Sequence, residues 1–384
     1  VGAVIAQPVK PGIDVLEQKQ LDLLKDKRVA VITNQTGINS AGTHLVDLLR
    51  SKDVKLVKLF SPEHGLYGVK DEKVADSVDE RTGLPVFSLY GKSRRPTRQM
   101  LDGVDVLIFD IQDIGTRFYT YISTMGLCME ACADYGVEFF VLDRPNPISG
   151  TRIDGPLADS KHLGFTAYRE IPLVHGMTVG ELARLFNAEY KINAKLTVVQ
   201  MEGWKRSMYW EDTGAKWVNP SPNMRSPLEA VLYPAVGLLE SSNVSVGRGT
   251  DTPFELVGAP YIDAQKFADA LNELKLPGIE FSPETFTPVN TPHKFNKKQC
   301  QGVRIKLTDR GKFQAAMTGC SMAWVLNKLY PGDWSNKELV KMLQNDDAAE
   351  KVLKLDDPKT AATLWINELR EWIKVREKYL IYRD

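Results

Sequence analysis

Three short stretches hold residues able to move protons or grip charge. "SPEHG" (61–65) sets a carboxylate, Glu63, beside an imidazole, His64. "DIQDIGTRFYTY" (110–121) gathers Asp110, Gln112, Asp113, Arg117, Tyr119 and Tyr121. "DRPNP" (143–147) presents Asp143 and Asn146 on a loop stiffened by two prolines. A carboxylate beside an imidazole is a common start to acid/base chemistry. Two aspartates, Asp110 and Asp113, could equally hold Mg²⁺ for phosphoryl transfer. Arg248, framed by glycines in "GRGT" (247–250), suits an anionic group.

Each of these residues also has a structural reading. Asn34 in "TNQTG" (33–37) either binds or caps a turn, and one of Asp110 and Asp113 can cap a helix beginning near Phe118. Arg117 can pair with either aspartate, Tyr119 and Tyr121 can be core aromatics, and Asp143 and Asn146 can staple their own loop. Thr178 with Glu181 reads as a reciprocal helix-start box, with His175 at the entry to that helix. For "SPEHG" the structural reading makes Ser61 an N-cap and Pro62 the first helical residue. Gly65 and Gly68 oppose it, because glycine inside a helix costs about 1 kcal/mol relative to alanine. A rigid loop presenting Glu63 and His64 fits better.

These residues must be positioned by the elements behind them. Apolar or β-branched runs at 29–33, 54–60, 85–89, 104–110, 137–142 and 196–200 alternate with amphipathic stretches at 43–51, 97–101, 119–135 and 179–190. Continuous apolar strands separated by helices predict a doubly wound, parallel α/β sheet covered on both faces. Ligands of such sheets bind beyond the carboxyl ends of the strands, and here every strand exit is polar or rich in Gly and Pro. A helix is expected at 228–239. After the Gly- and Ser-rich stretch 241–253 a smaller α+β unit follows, with helices at 264–274 and 312–329 and strands near 279–286 and 303–307. Closing helices are expected within 336–354 and 358–382. The expected organisation is a leader remnant and linker over 1–12, a first domain over 13–250 and a second over 251–384.

The 384 residues carry 49 basic and 49 acidic side chains. This balance gives no global field toward nucleic acid or anionic lipid. Four cysteines are too few for a disulfide scaffold and read as core packing. Five scattered histidines form no zinc-ligand spacing. Neither a dinucleotide fingerprint nor a Walker loop occurs, so no metal or cofactor is expected. The chain opens on Val, and Val4-Ile5-Ala6 ahead of Gln7 has the form of a signal-peptide cleavage tail. Export to the periplasm or the exterior is the corresponding expectation. No apolar run is long enough to span a membrane.

Taken in order, "TNQTG", "SPEHG", "DIQDIGTRFYTY", "LDRPNP", "VHGMT", "NPSPNM" and "SSNVSVGRGT" closely resemble the NamZ-type exo-β-N-acetylmuramidases. The resemblance implies a Rossmann-like domain joined to a smaller C-terminal domain, with an active site in the cleft between them. It implies release of β-1,4-linked N-acetylmuramic acid from the non-reducing end of peptidoglycan fragments. Glu63 matches the family's catalytic glutamate and is the expected general acid, with His64 as its neighbour. For the second group Asp110, Asp113 and Glu240 compete, and Asp110 could instead orient the substrate's own acetamido group. The expected binding set is Asn34, Gln112, Asp113, Arg117, Tyr119, Tyr121, Asp143, Asn146, His175, Asn223, Glu240, Asn243 and Arg248. Arg117 or Arg248 would receive the lactyl carboxylate. Where the family often has Glu-Gly-Thr-Asn, this chain has Glu240-Ser241-Ser242-Asn243. The rival classes are a non-catalytic binder of wall fragments and an Mg-dependent phosphoryl-transfer enzyme.

Overall fold

The computed structural model describes residues 8–68, 75–91 and 93–384, and the cleavage-tail reading at 4–7 lies outside them. The first apolar runs form β1 (Val29–Thr33), β2 (Leu56–Ser61), β3 (Ser77–Val78), β4 (Pro85–Ser88), β5 (Val106–Asp110) and β6 (Glu138–Leu142). A separate antiparallel pair follows, β7 (Asp154–Leu157) and β8 (Pro172–Val174), before β9 (Leu196–Val199). β9 returns to the main sheet, whose order is β3-β4-β2-β1-β5-β6-β9. All its pairings are parallel except that of the two-residue edge strand β3.

The alternation of side chains explains the two covered faces. Ala30, Ile32, Leu107, Phe109, Phe139 and Val141 point into one apolar cluster. Their sequence neighbours Val29, Val31, Val106, Ile108, Phe140 and Leu142 point into the other. A strand buried on both sides needs apolar residues at every position, which is why these runs do not alternate in polarity. Strand order reverses between β1 and β5, so the loops leaving them diverge and open a crevice there.

The six strands expected for this sheet are all present, with ends displaced by no more than two residues. The covering helices Leu45–Ser51, Arg98–Leu101, Tyr121–Tyr135 and Val179–Glu189 lie within the expected stretches. Thr178 and Glu181 form the reciprocal cap, with bonds of 3.2 and 3.1 Å. The linker expected at 8–12 is instead packed: Val9 is buried and Lys10 exchanges backbone hydrogen bonds with Glu202.

In the C-terminal part, β10 (Leu256–Ala259), β11 (Ile279–Phe286) and β12 (Cys300–Leu307) make an antiparallel sheet in the order β10-β12-β11. Helix Pro227–Val236 leads into this part, and helices Ala264–Glu273 and Ala315–Leu329 pack within it. The closing helices are more broken than the sequence suggests, with Leu339–Leu343 and Asp346–Val352 separated at Gln344, whose φ is 54°. A continuous apolar cluster runs from the main sheet through Leu238 and Leu239 to Val257, Ala323 and Leu326, so the two parts share a core. All four cysteines are buried free thiols. Among the described residues no helix is long and apolar enough to cross a membrane.

Candidate active site

The chain leaves β2 through a turn rather than a helix. Gly65 N–H donates to the Pro62 carbonyl at 3.1 Å, with Glu63 and His64 at the two central positions. His64 holds a left-handed φ of 70°, which costs a non-glycine residue of the order of 1 kcal/mol and is typical of functional loops. The N-cap reading of Ser61 therefore fails. The turn holds Glu63 half-buried, and the Thr120 hydroxyl donates to its Oε2 at 2.6 Å.

Glu63 and His64 line a cavity of about 470 Å³ at the crevice, and Glu240 faces them from the C-terminal part. Glu240 follows the single 3₁₀ turn Gly237–Leu239, and Arg248 Nε donates to its Oε1 at 2.5 Å. Arg248 sits between Gly247 and Gly249, both near φ 80°, so the loop reverses sharply on each side of it and aims the guanidinium back at Glu240. Its guanidinium also lies 5.0 Å from the centre of the Phe254 ring.

The floor of the cavity is aromatic. Tyr119 packs edge to face on Tyr121 at 5.0 Å and on Tyr233 at 5.9 Å, and Phe118 meets Tyr233 at 5.1 Å. The Tyr121 hydroxyl donates to the Pro220 carbonyl at 2.6 Å. Burial raises the Tyr233 hydroxyl well above the ordinary phenol range, and the charge of Glu240 raises it further. These interlocked rings form a wall rather than a free stacking platform. The less buried rings are Tyr90 and Phe165.

Several expected site residues lie elsewhere. Asp110 is fully buried, with both oxygens held by Arg144 at 2.6 and 2.9 Å, and it does not reach the cavity. Asp113 accepts from Gly115 N–H at 2.7 Å and lies 3.7 Å from His175, itself fully buried. Gln112 bridges the carbonyls of Asp113 and Pro145 and lines a different cavity. Asn34 closes a turn onto Thr36 and donates to the Tyr121 hydroxyl from beneath the site.

Asp143 accepts from Gly180 N–H, Thr178 and Tyr382, and burial lifts its carboxyl to about 7. Asn146 ties Met177 to Ile148. Arg117 is a clamp, not an anion receptor. Its guanidinium is fully buried and donates to the carbonyls of Pro156, Ile171 and Leu343 and to the Gln344 side chain. Burial lowers its pKa to about 9. Asn243 braces the loop at Asp333 and Ser335. Asn223 is buried in the turn closed by Met224 N–H on the Ser221 carbonyl, and Ser221 is the residue of that turn that reaches the cavity. Of the variant loop, Ser241 faces the cavity, whereas Ser242 is buried between the Leu239 carbonyl and Trp334.

The cavity thus keeps Glu63, His64, Tyr119, Tyr121, Glu240 and Arg248 from the expected set. It adds Tyr90, Arg94, Thr120, Phe165, Tyr233 and His293, which the sequence reading does not single out. Thr120 lies inside a quoted motif, but nothing in its spacing marks it as the partner of Glu63. Phe165 and His293 are brought in by chain segments with no motif of their own.

Two other features lack the means for this chemistry. A more apolar cavity of about 300 Å³ beside Trp365 has, among the described residues, a single carboxylate, Asp154, whose oxygens already accept from the Gly155 and Ala316 amides. Asp159, His162 and Asp346 cluster away from the active-site cavity, and Asp346 is already paired with His162 and Lys161.

Known proteins resemble this chain over nearly its whole length. Residues 29–228 match the model described as exo-beta-N-acetylmuramidase NamZ, N-terminal, and residues 231–382 match its C-terminal counterpart. The chain is 45% identical over 380 residues to the peptidoglycan beta-N-acetylmuramidase NamZ of Bacillus subtilis, covering 97% of this chain and 91% of that protein. Two crystal structures of DUF1343 family proteins from Bacteroides fragilis superpose with TM-scores of 0.90 and 0.82 at 36% and 29% identity. Each alignment covers 98% of this chain and 99% of the other.

Proposed function

The chain belongs to the NamZ exo-β-N-acetylmuramidase family, and from that premise we propose how its cleft works. The enzyme is an exo-acting glycosidase that releases N-acetylmuramic acid from the non-reducing end of peptidoglycan-derived saccharides. The observation that carries the reading is the pair of carboxylates, Glu63 and Glu240, facing one cavity from the two halves of the protein.

Glu63 is the general acid. Thr120 holds its Oε2, which leaves Oε1 to deliver the proton to the glycosidic oxygen as the bond to C1 breaks. Glu240 supplies negative charge toward the oxocarbenium-like centre, with Arg248 fixing its direction. Of the three residues that compete for this role in the sequence, Glu240 is the one that lines the cavity. His64 borders Glu63 in the same turn, and the strained backbone there holds both side chains toward the substrate.

The phosphoryl-transfer reading loses its metal ligand, because both oxygens of Asp110 are engaged by Arg144. We place the enzyme outside the cytoplasmic membrane, where its polymer lies. The test uses a chromogenic β-N-acetylmuramide and the matching β-N-acetylglucosaminide. Wild-type protein is expected to release chromophore from the muramide, and Glu63→Gln to bind the sugar without turnover. Release from neither substrate by the wild type would overturn the muramidase reading in favour of a binding protein.

A further inference from the structure

We infer that Arg94 is the specificity residue for the acidic sugar, receiving the lactyl carboxylate that distinguishes N-acetylmuramic acid from N-acetylglucosamine. The inference rests on the muramidase reading of this cleft. A muramyl residue carries a carboxylate on its 3-O-lactyl arm, and a planar carboxylate is best met by the two-pronged edge of a guanidinium.

Two arginines line the cavity, Arg94 and Arg248. Arg248 already directs its Nε to Glu240. Arg117, the other candidate from the sequence, is wholly buried among carbonyls. Lys294 donates to the Glu240 carbonyl and borders an adjoining cavity instead. His293 reaches the same cavity, but an imidazole presents one N–H on an edge where the carboxylate takes two.

Arg94 is held by its faces. Its guanidinium carbon lies 4.2 Å from the centre of the Phe165 ring and 5.7 Å from that of Tyr90. The two rings themselves pack 5.8 Å apart. Ring contact covers the π-face of a guanidinium and orients it, and leaves its N–H edge for a ligand. Among the described residues no carboxylate pairs with Arg94, whereas its neighbour Arg95 turns away to Asp134 and Glu130.

The support is itself anchored. Gly164 and Ala167 exchange backbone hydrogen bonds of 2.9 and 3.2 Å, so the tight turn projects Phe165 and Thr166. The Thr166 hydroxyl accepts from Gln344 at 2.7 Å, tying this turn to the residue that also receives Arg117. Glu63 and Arg94 thus border one cavity from separate walls, one for the bond and one for the acid group.

The experiment compares kcat/KM on the chromogenic β-N-acetylmuramide as free acid and as its lactyl amide, for wild type, Arg94→Met and Arg94→Lys. The wild type is expected to prefer the acid by about tenfold or more, the size of a lost charge-assisted bidentate contact. Arg94→Met should abolish that preference by lowering kcat/KM on the acid at least about tenfold more than on the amide, and Arg94→Lys should restore part of it. Equal wild-type rates on acid and amide, or an acid preference that survives in Arg94→Met, overturns the inference alone. Wild-type protein that cleaves neither form overturns the muramidase reading and this inference with it. Arg94 is an exposed side chain, and an unchanged melting temperature for both variants assigns the effect to recognition.

Discussion

Replacing Asp110 with asparagine separates a scaffold role from a catalytic one. Asp110 sits at the end of β5 with no solvent exposure, and Arg144 grips both its oxygens at 2.6 and 2.9 Å. Arg144 is itself 6% exposed, and its other contact is the Ile38 carbonyl at 3.1 Å. Asp110→Asn keeps the volume but leaves a buried guanidinium without its counter-charge and turns an amide N–H₂ toward its donors. Breaking one side of a buried ion pair costs about 3–5 kcal/mol. Because the two parts share a core, each kcal/mol lowers the melting temperature of the whole chain by roughly 1–2 °C, so a fall of about 3–10 °C is expected. Circular dichroism melts give this number, and kcat on the chromogenic muramide well below the transition gives the other. We expect kcat of the folded protein to change by less than about tenfold, since Asp110 does not reach the substrate. The double variant Asp110→Asn/Arg144→Gln should recover at least half the lost stability by restoring a neutral hydrogen-bonded pair. A melting temperature within 2 °C of wild type, combined with a loss of about a thousandfold in kcat, would return Asp110 to the chemistry.

Thr120→Val removes the hydroxyl that orients Glu63; that bond becomes charge-assisted as Glu63 gives up its proton, and at about 1.5–3 kcal/mol it predicts a kcat loss of roughly 10- to 100-fold. Its melting temperature should hardly move, and unchanged kcat would deny Thr120 a positioning role. Arg117→Met strips donors from the carbonyls of Pro156, Ile171 and Leu343, so it should destabilise the protein by about 3 kcal/mol or more. It should leave the ratio of acid to amide turnover untouched, and a changed ratio would make Arg117 a receptor after all. Asp143 makes a prediction about pH. Its carboxyl stays protonated in the folded chain up to about 7, whereas the unfolded chain releases that proton near the ordinary value of 3.8. Its contribution to stability is therefore full below that lower value and is lost as pH rises through about 7. Melting temperatures of Asp143→Asn across pH 4–8 should decline less toward neutrality than those of wild type, and parallel curves would reject the shift.

The parallel sheet was readable because strands buried on both faces need unbroken apolar runs, and β1, β5 and β6 have them. The strands expected near 279–286 and 303–307 are β11 and β12, whereas β7, β8 and β10 leave no signal because short strands such as Pro172–Val174 and Leu256–Ala259 carry no periodicity long enough to see. The broken closing helices escaped for a different reason. Gln344 ends one helix with a φ of 54° because Arg117, far away in the chain, draws the Leu343 carbonyl and the Gln344 side chain to itself. At the site, Glu63 could be placed because two glycines excluded a helix and the strand before it fixed its position. Arg94, Phe165 and His293 could not, since what assembles them is tertiary contact rather than spacing.

Polarity at a strand exit marks two layers that look alike in sequence. In the lower layer most polar groups meet one another, Asn34 with Thr36, Asp110 with Arg144, and Asp143 with Thr178 and Tyr382, while Asp113 Oδ1 and His175 Nε2 are buried without a hydrogen-bond partner. A buried polar group without a partner costs about 1–3 kcal/mol, so each of the paired groups needs an exact companion and its motif must be specific. In the upper layer Glu63, Glu240 and Arg94 face a cavity and keep capacity for a substrate. The lower layer sets the direction of the loops that carry the upper one: Asn34 donates to Tyr121, whose helix begins directly after Thr120, and Thr120 holds Glu63. Motif density therefore points to the right end of the sheet while naming mostly the residues that aim the site. A polar residue at that end belongs to the upper layer only when its hydrogen-bonding groups are left facing open space, and by that criterion Asp110 falls in the lower layer and Arg94 in the upper one.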